Sequence, residues 1–186
     1  MNDAERIILI GMKSSGKTTV GRVLAEKLGI AFTDMDALIE QLHFQKKNEE
    51  LPFREIFKRY GGDYFRAMET EALKVQAEAG EPASFVLATG GGLPLAEANQ
   101  ALLPKLGTVV YLDADPDVLL DRIVRGGVPA FFPYQDDPKR SLDEILAARR
   151  PVYQGLAQLT IAYRHELPGE VADQIIQQLG GNSHED

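Results

Sequence analysis

The chain has 186 residues, about one domain at ordinary domain sizes. Its 44% apolar and 26% charged content excludes intrinsic disorder and suffices for a buried core. A net charge of -8 disfavours a general phosphate-backbone binder, so no nucleic-acid partner is expected, and the lack of cysteine excludes disulfides, thiolate metal sites and cysteine nucleophiles.

The elements follow in chain order. The N-terminal apolar run, residues 7–10, is too short for a signal peptide or a spanning helix. The expectation is a soluble, cytoplasmic chain with no membrane partner. Arg6–Ile10 reads as a buried strand ended by Gly11. Lys17–Leu28 places Val20, Val23, Leu24 and Leu28 at helical spacing, with Gly29 as the stop. Residues 30–33 predict a second strand and 37–44 a helix, while 45–51 are polar and read as loop. Residues 52–60 predict a helix closed by Gly61-Gly62, and 63–79 a long one.

Residues 84–88 predict a strand running into Gly90-Gly91-Gly92, and 108–112 another. Residues 115–125 predict a helix with Pro116 in its first turn. Residues 126–140, with three prolines and no period, read as a mobile loop. A capping box, Ser141 to Glu144, opens a predicted helix over 141–154. Residues 159–162 predict the last strand, 170–179 the last helix and 181–186 a disordered tail. No repeat or linker divides the chain. The alternation predicts an α/β fold, with a parallel sheet covered on both faces and ligands beyond the carboxyl ends of the strands.

The residues that follow the strands carry the chemistry. Gly11-Met12-Lys13-Ser14-Ser15-Gly16-Lys17-Thr18 completes the G-x-x-x-x-G-K-[ST] pattern between a strand and a helix. The glycines let backbone N–H groups approach phosphate oxygens at a helix N-terminus. Lys17 reaches the β- and γ-phosphates, and the Thr18 hydroxyl suits Mg²⁺, which prefers oxygen. Lys13 lies outside the pattern, either as a solvated loop charge or as a group near the phosphates. Asp34 and Asp36 follow the second strand. One can serve the metal and the other a substrate hydroxyl, or Asp36 can simply cap the helix that follows.

These residues together resemble the shikimate kinases: the phosphate loop, then Phe32-x-Asp34-x-Asp36-x-x-Ile39-Glu40, then Ile56-Phe57 with Phe65-Arg66-x-x-Glu69, Ala88-Thr89-Gly90-Gly91-Gly92, and Arg149-x-Pro151-x-Tyr153. The resemblance runs from about Ile7 to Leu179. It implies a three-layer P-loop fold with a five-stranded parallel sheet, one domain over 1–180, a substrate-binding region at about 34–66 and a lid at about 126–140. The implied reaction moves the γ-phosphoryl of ATP to the 3-hydroxyl of shikimate, with Mg²⁺, in chorismate and aromatic amino-acid biosynthesis. The implied ATP site comprises Gly11, Ser14, Ser15, Gly16, Lys17, Thr18, Thr19 and Arg122, and the implied metal site Thr18 and Asp34. Asp36, Arg66, Gly90, Gly91, Gly92 and Arg149 would hold the substrate. Lys17, Asp34 and Asp36 would serve catalysis, and the resemblance implies a monomer, as is usual for small kinases of this kind.

Two departures stand out. The family's lid arginine has no basic counterpart here, because Pro129 takes its place before Phe131-Phe132. Arg125 is the first candidate to supply that charge, with Lys139 and Arg140 as others. The segment 42–51 is longer than the usual connection and adjoins the substrate region. Two rival readings follow: a kinase of another small hydroxy acid such as gluconate, or a nucleotide-binding regulatory module without transfer activity.

Overall fold

The computed structural model describes residues 5–79 and 83–181. Five strands form one parallel sheet in the order β2-β3-β1-β4-β5: β1 Arg6–Ile10, β2 Ala31–Asp34, β3 Phe85–Ala88, β4 Thr108–Ala114 and β5 Leu159–Tyr163. The central strand is apolar without alternation because helices cover both of its faces. Ile7 and Leu9 join Val86 and Val110 against Val20, Leu24, Val171 and Ile175. Ile8 and Ile10 join Leu87 and Val109 against Ile39, Met68, Leu73 and Leu103. Those residues belong to the helices α1 Lys17–Leu28 and α7 Pro168–Gly181 on one side, and α2 Met35–Lys47, α3 Phe53–Glu78 and α4 Glu97–Leu106 on the other. Two more helices, α5 Pro116–Gly126 and α6 Pro138–Leu156, flank the segment 127–137.

Several elements differ from the sequence expectation. Helix α2 starts at Met35, and its cap is Asp34, whose carboxylate accepts from the Asp36 N–H at 3.0 Å; Asp36 is therefore not the cap. The helix also runs on to Lys47, where Lys46 and Lys47 suit the negative end of the dipole. The two helices expected over 52–79 are both present within α3 and meet at a kink at Gly61, where φ is 83°, as expected. Helix α6 starts at Pro138 and is capped by Asp137, which accepts from the Arg140 N–H; the Ser141 hydroxyl instead bonds the N–H and carbonyl of Tyr134. Residues 93–106 hold a 3₁₀ turn, Leu93–Leu95, and α4, neither expected; Pro104 within α4 interrupts the sequence signal. Gly181 closes α7, and residues 182–186 of the expected tail lie outside the described residues. Among the described residues no helix is long and apolar enough to cross a membrane.

Gly107 carries the chain from α4 into β4 past the start of β1. A Cβ there would stand 2.3 Å from the Arg6 carbonyl oxygen and 2.7 Å from its carbon. Both are backbone atoms of the central strand and cannot swing aside. Gly107→Ala is expected to destabilise the fold by about 1–3 kcal/mol. A thermal melt that shifts by less than a degree would contradict this, since about 1 kcal/mol corresponds to several degrees in a chain of this size.

Candidate active site

The parallel sheet brings the carboxyl ends of its strands to one edge. The order reverses at β1, so a crevice opens between the connections after β1 and its neighbours. The phosphate loop leaves β1 there. Gly11 has φ 143°, Ser14 φ 68° and Gly16 φ 82°. Such angles are uncommon for a residue with a Cβ, as Ser14 has, and they cluster at ligand sites. Helix α1 then begins with neither a side-chain cap nor an acidic first turn. Its free N–H groups and positive dipole suit an anion. Ser15 is fully buried beneath the loop.

Lys17 is nearly buried and donates to the carbonyls of Gly11 and Met12, both at 2.9 Å. Burial lowers its pKa to about 8, against the opposing pull of Asp36 and Asp34. The Thr18 hydroxyl donates to Asp34 Oδ2 at 2.8 Å. Two oxygen donors side by side next to a phosphate cradle fit Mg²⁺, which takes a few protein oxygens and completes its shell with phosphate and water. No cluster of three or more His, Cys, Asp or Glu suited to a metal occurs among the described residues.

On the outer side of the loop lies a cavity of about 350 Å³, lined by Ser14, Gly16, Thr19, Arg122, Tyr163 and Pro168 among others. Arg122 donates to the Ser14 carbonyl at 3.2 Å, and the Tyr163 hydroxyl bonds the Ser15 carbonyl. Arg122 and Thr19 therefore line one cavity directly beside the phosphate loop. Tyr163 was missed by the sequence reading. Its only signal was its place at the end of a strand.

The other side of the loop is built from α2, α3, α6 and the glycine triplet. The carboxyl of Asp36 is pushed up to about 6, first by burial, then by Asp34 and Glu69, with Lys17 opposing. Arg66 on α3 is half-exposed and forms an ion pair with Glu69, one turn on and buried. A Cβ at Gly92 would lie 2.5 Å and 2.8 Å from the two terminal nitrogens of Arg66, and one at Gly90 3.1 Å from the Glu69 carboxylate. The triplet thus passes directly over this ion pair. Burial raises the Glu69 pKa, and Arg66 opposes that shift. Glu69 forms part of the Arg66-x-x-Glu69 spacing, but its role as the buried counter-ion was not legible there.

Gly91 backs onto the phosphate loop: a Cβ would meet the Lys13 backbone nitrogen at 2.9 Å. The Tyr153 hydroxyl donates to the Gly91 carbonyl at 2.6 Å. One turn earlier on α6, Arg149 sits 3.8 Å from the Met12 sulfur, with its guanidinium 5.1 Å from the Phe131 ring centre. The triplet therefore links the Arg66–Glu69 pair, at Gly92 and Gly90, to the phosphate loop and α6, at Gly91, and Arg149 reaches the same loop at Met12. Arg150, next to Arg149, turns away and binds Asp113 at 3.1 Å.

The expected lid cation is not brought in. Arg125 is largely exposed and pairs with Asp121 one turn back, at 2.9 Å. Lys139 and Arg140 pair with Asp143 and Glu144 in the same i,i+4 manner. The segment expected to be a mobile loop is irregular over residues 127–137 and carries bonds of its own. Gln135 donates to the carbonyls of Pro129 and Phe132, Ser141 holds Tyr134, and Phe132 is buried.

A family model described as shikimate kinase matches residues 13–180. A shikimate kinase of Alkaliphilus oremlandii is 36% identical, over 92% of this chain and 97% of that protein. One of Parasynechococcus marenigrum is 40% identical, over 93% of this chain and 85% of that protein. Among solved structures, shikimate kinase from Acinetobacter baumannii in complex with shikimate matches with a TM-score of 0.82 and 33% identity, covering 97% of this chain and 96% of that one.

Proposed function

Because the chain belongs to the shikimate kinase family, a family of phosphotransferases, we propose that it moves the γ-phosphoryl of ATP to the 3-hydroxyl of shikimate. The observation that carries this reading is the seam at Gly91. There the phosphate loop meets the glycine triplet, with Arg66 beside Gly92 and Arg149 beside Met12, so a nucleotide and a small carboxylate would lie side by side. Phosphoryl transfer asks for such alignment and for charge neutralisation more than for covalent help from the protein.

In this reading Gly11, Ser14, Ser15, Gly16, Lys17, Thr18 and Thr19 bind the nucleotide phosphates, and Arg122 flanks its base. Arg66 and Arg149 take the acid's carboxylate, for which a guanidinium offers two parallel N–H bonds. Gly90, Gly91 and Gly92 allow it close backbone approach. Asp36 orients the hydroxyl and accepts its proton. Thr18 and Asp34 hold Mg²⁺, which when bound neutralises phosphate charge. The chain acts as one domain over 1–180, in the cytoplasm, as a monomer, and without nucleic acid or membrane. A gluconate-like acceptor and a transfer-incompetent module are not favoured by the matched relatives.

The test is an ADP-release assay with Mg-ATP and, in turn, shikimate, quinate and gluconate. Saturable release with shikimate alone is expected. Turnover only with another acid would shift the acceptor, and nucleotide binding without any turnover would favour the regulatory module.

A further inference from the structure

The cations around the crevice are mostly engaged. Lys17 is bonded to two carbonyls of its own loop, Arg66 to Glu69 and Arg122 to Ser14, while Arg149 lies against Met12 and Phe131. Residues 126–138 contain no lysine or arginine, and the basic residues that flank them pair along their own helices.

Lys13 differs. Among the described residues it makes no hydrogen bond and no ion pair. Its backbone nitrogen abuts Gly91, so its side chain starts at the seam between the phosphate loop and the acceptor pocket. Met12 beside it touches Arg149, the residue that faces the acceptor's carboxylate. The charges that act on its ammonium are Asp36, which attracts it, and Arg54 at the start of α3, which repels it. Asp36 draws the flexible four-carbon stem toward the acceptor hydroxyl it serves, while Arg54 keeps the ammonium off the first turn of α3, which leaves it between the phosphate loop and Asp36.

We propose that Lys13 is a further catalytic residue, whose ammonium neutralises the phosphoryl group in transit between nucleotide and acceptor. The inference rests on the phosphoryl-transfer reading above. In the step, the bond from the γ-phosphorus to the β,γ-bridging oxygen breaks and leaves its electron pair on ADP. The acceptor oxygen bonds to that phosphorus, and its proton passes to the Asp36 carboxylate. Lys13 keeps its protons and supplies charge only. A cation that meets charge developing in the transition state raises kcat without tightening substrate binding.

The experiment compares Lys13→Met and Lys13→Arg with the parent chain. It measures shikimate-dependent ADP release, ATP hydrolysis without acceptor, and binding of Mg-ADP with and without aluminium fluoride. Lys13→Met is expected to lower kcat at least about tenfold, with both KM values within about threefold. Its affinity for Mg-ADP with aluminium fluoride and shikimate should fall in parallel, while Mg-ADP alone binds as before. Lys13→Arg should restore kcat to within about threefold of the parent. A smaller fall in Lys13→Met, or one matched by an equal loss of Mg-ADP affinity, overturns the proposal. If the parent hydrolyses ATP but does not phosphorylate shikimate, the acceptor reading fails, and the hydrolysis rates decide Lys13 by the same tenfold criterion.

Discussion

Asp36→Asn is expected to lower kcat about a thousandfold and to raise the melting temperature. The first effect follows from losing a proton acceptor beside the acceptor hydroxyl, a role worth about 10²–10⁴ in rate. The second follows from what the carboxylate costs the fold. Burial and the neighbouring charges of Asp34 and Glu69 hold its pKa at about 6, against an ordinary aspartate value of 3.8. A raised carboxyl pKa means that the folded state disfavours the charged form. At pH 7 both states are ionised, and the folded state carries a penalty of up to about 3 kcal/mol at about 1.4 kcal/mol per unit. Asparagine keeps the shape and removes the charge. As pH falls through 6 toward 4, the folded parent takes up a proton before the unfolded chain does, and its penalty fades. The variant's gain in melting temperature should therefore be largest near pH 7.5 and shrink by pH 4.5. A gain that does not depend on pH would sink the electrostatic account, and a kcat within tenfold of the parent would sink the base.

That penalty also shows why some parts of this chain are legible in sequence and others are not. The phosphate loop reads in full because its pattern rests on backbone geometry and two side chains, all within eight consecutive positions. The strands read well because helices cover both faces of a parallel sheet, which leaves uninterrupted apolar runs such as residues 7–10 and 85–88. Direction and partnership are harder. The resemblance places Arg122 at the nucleotide, but the spacing of Arg122-Ile123-Val124-Arg125 does not say that the first arginine bonds the phosphate loop while the second meets Asp121. The answer comes from which face of α5 is buried, with Leu119 and Ile123 fixing the rotation. The internal bonds of the lid segment are hidden for a similar reason. Its prolines mark a loop, but the bonds from Gln135 and Ser141 to nearby carbonyls leave no periodic trace. Helix α4 was hidden by Pro104, although its buried Asn99 bonds the Leu93 carbonyl and holds the preceding turn in place.

Arg66→Ala is expected to raise KM for shikimate by about a hundredfold, while KM for ATP stays within about threefold. A charge-assisted contact of this kind contributes about 1.5–3 kcal/mol, and the truncation removes a two-bond contact. Arg66→Lys should recover little, because an ammonium is a point charge without the planar fork. The geometry of the triplet provides an independent route to the same phenotype. In Gly92→Ala the added methyl would enter the guanidinium of Arg66, the flexible end of a side chain, so the arginine moves and the backbone does not. That variant should lose acid affinity at nearly unchanged stability. Arg66→Ala should lose both, because it leaves Glu69 buried without its counter-ion. Burial already raises the Glu69 pKa, and without Arg66 it rises further. A carboxyl whose folded pKa lies above its unfolded value destabilises the fold where it is ionised. The stability deficit of Arg66→Ala should accordingly be large at pH 8 and smaller at pH 5. Equal effects on the two KM values would remove Arg66 from the acceptor pocket, and a deficit that does not depend on pH would remove Glu69 as its buried partner.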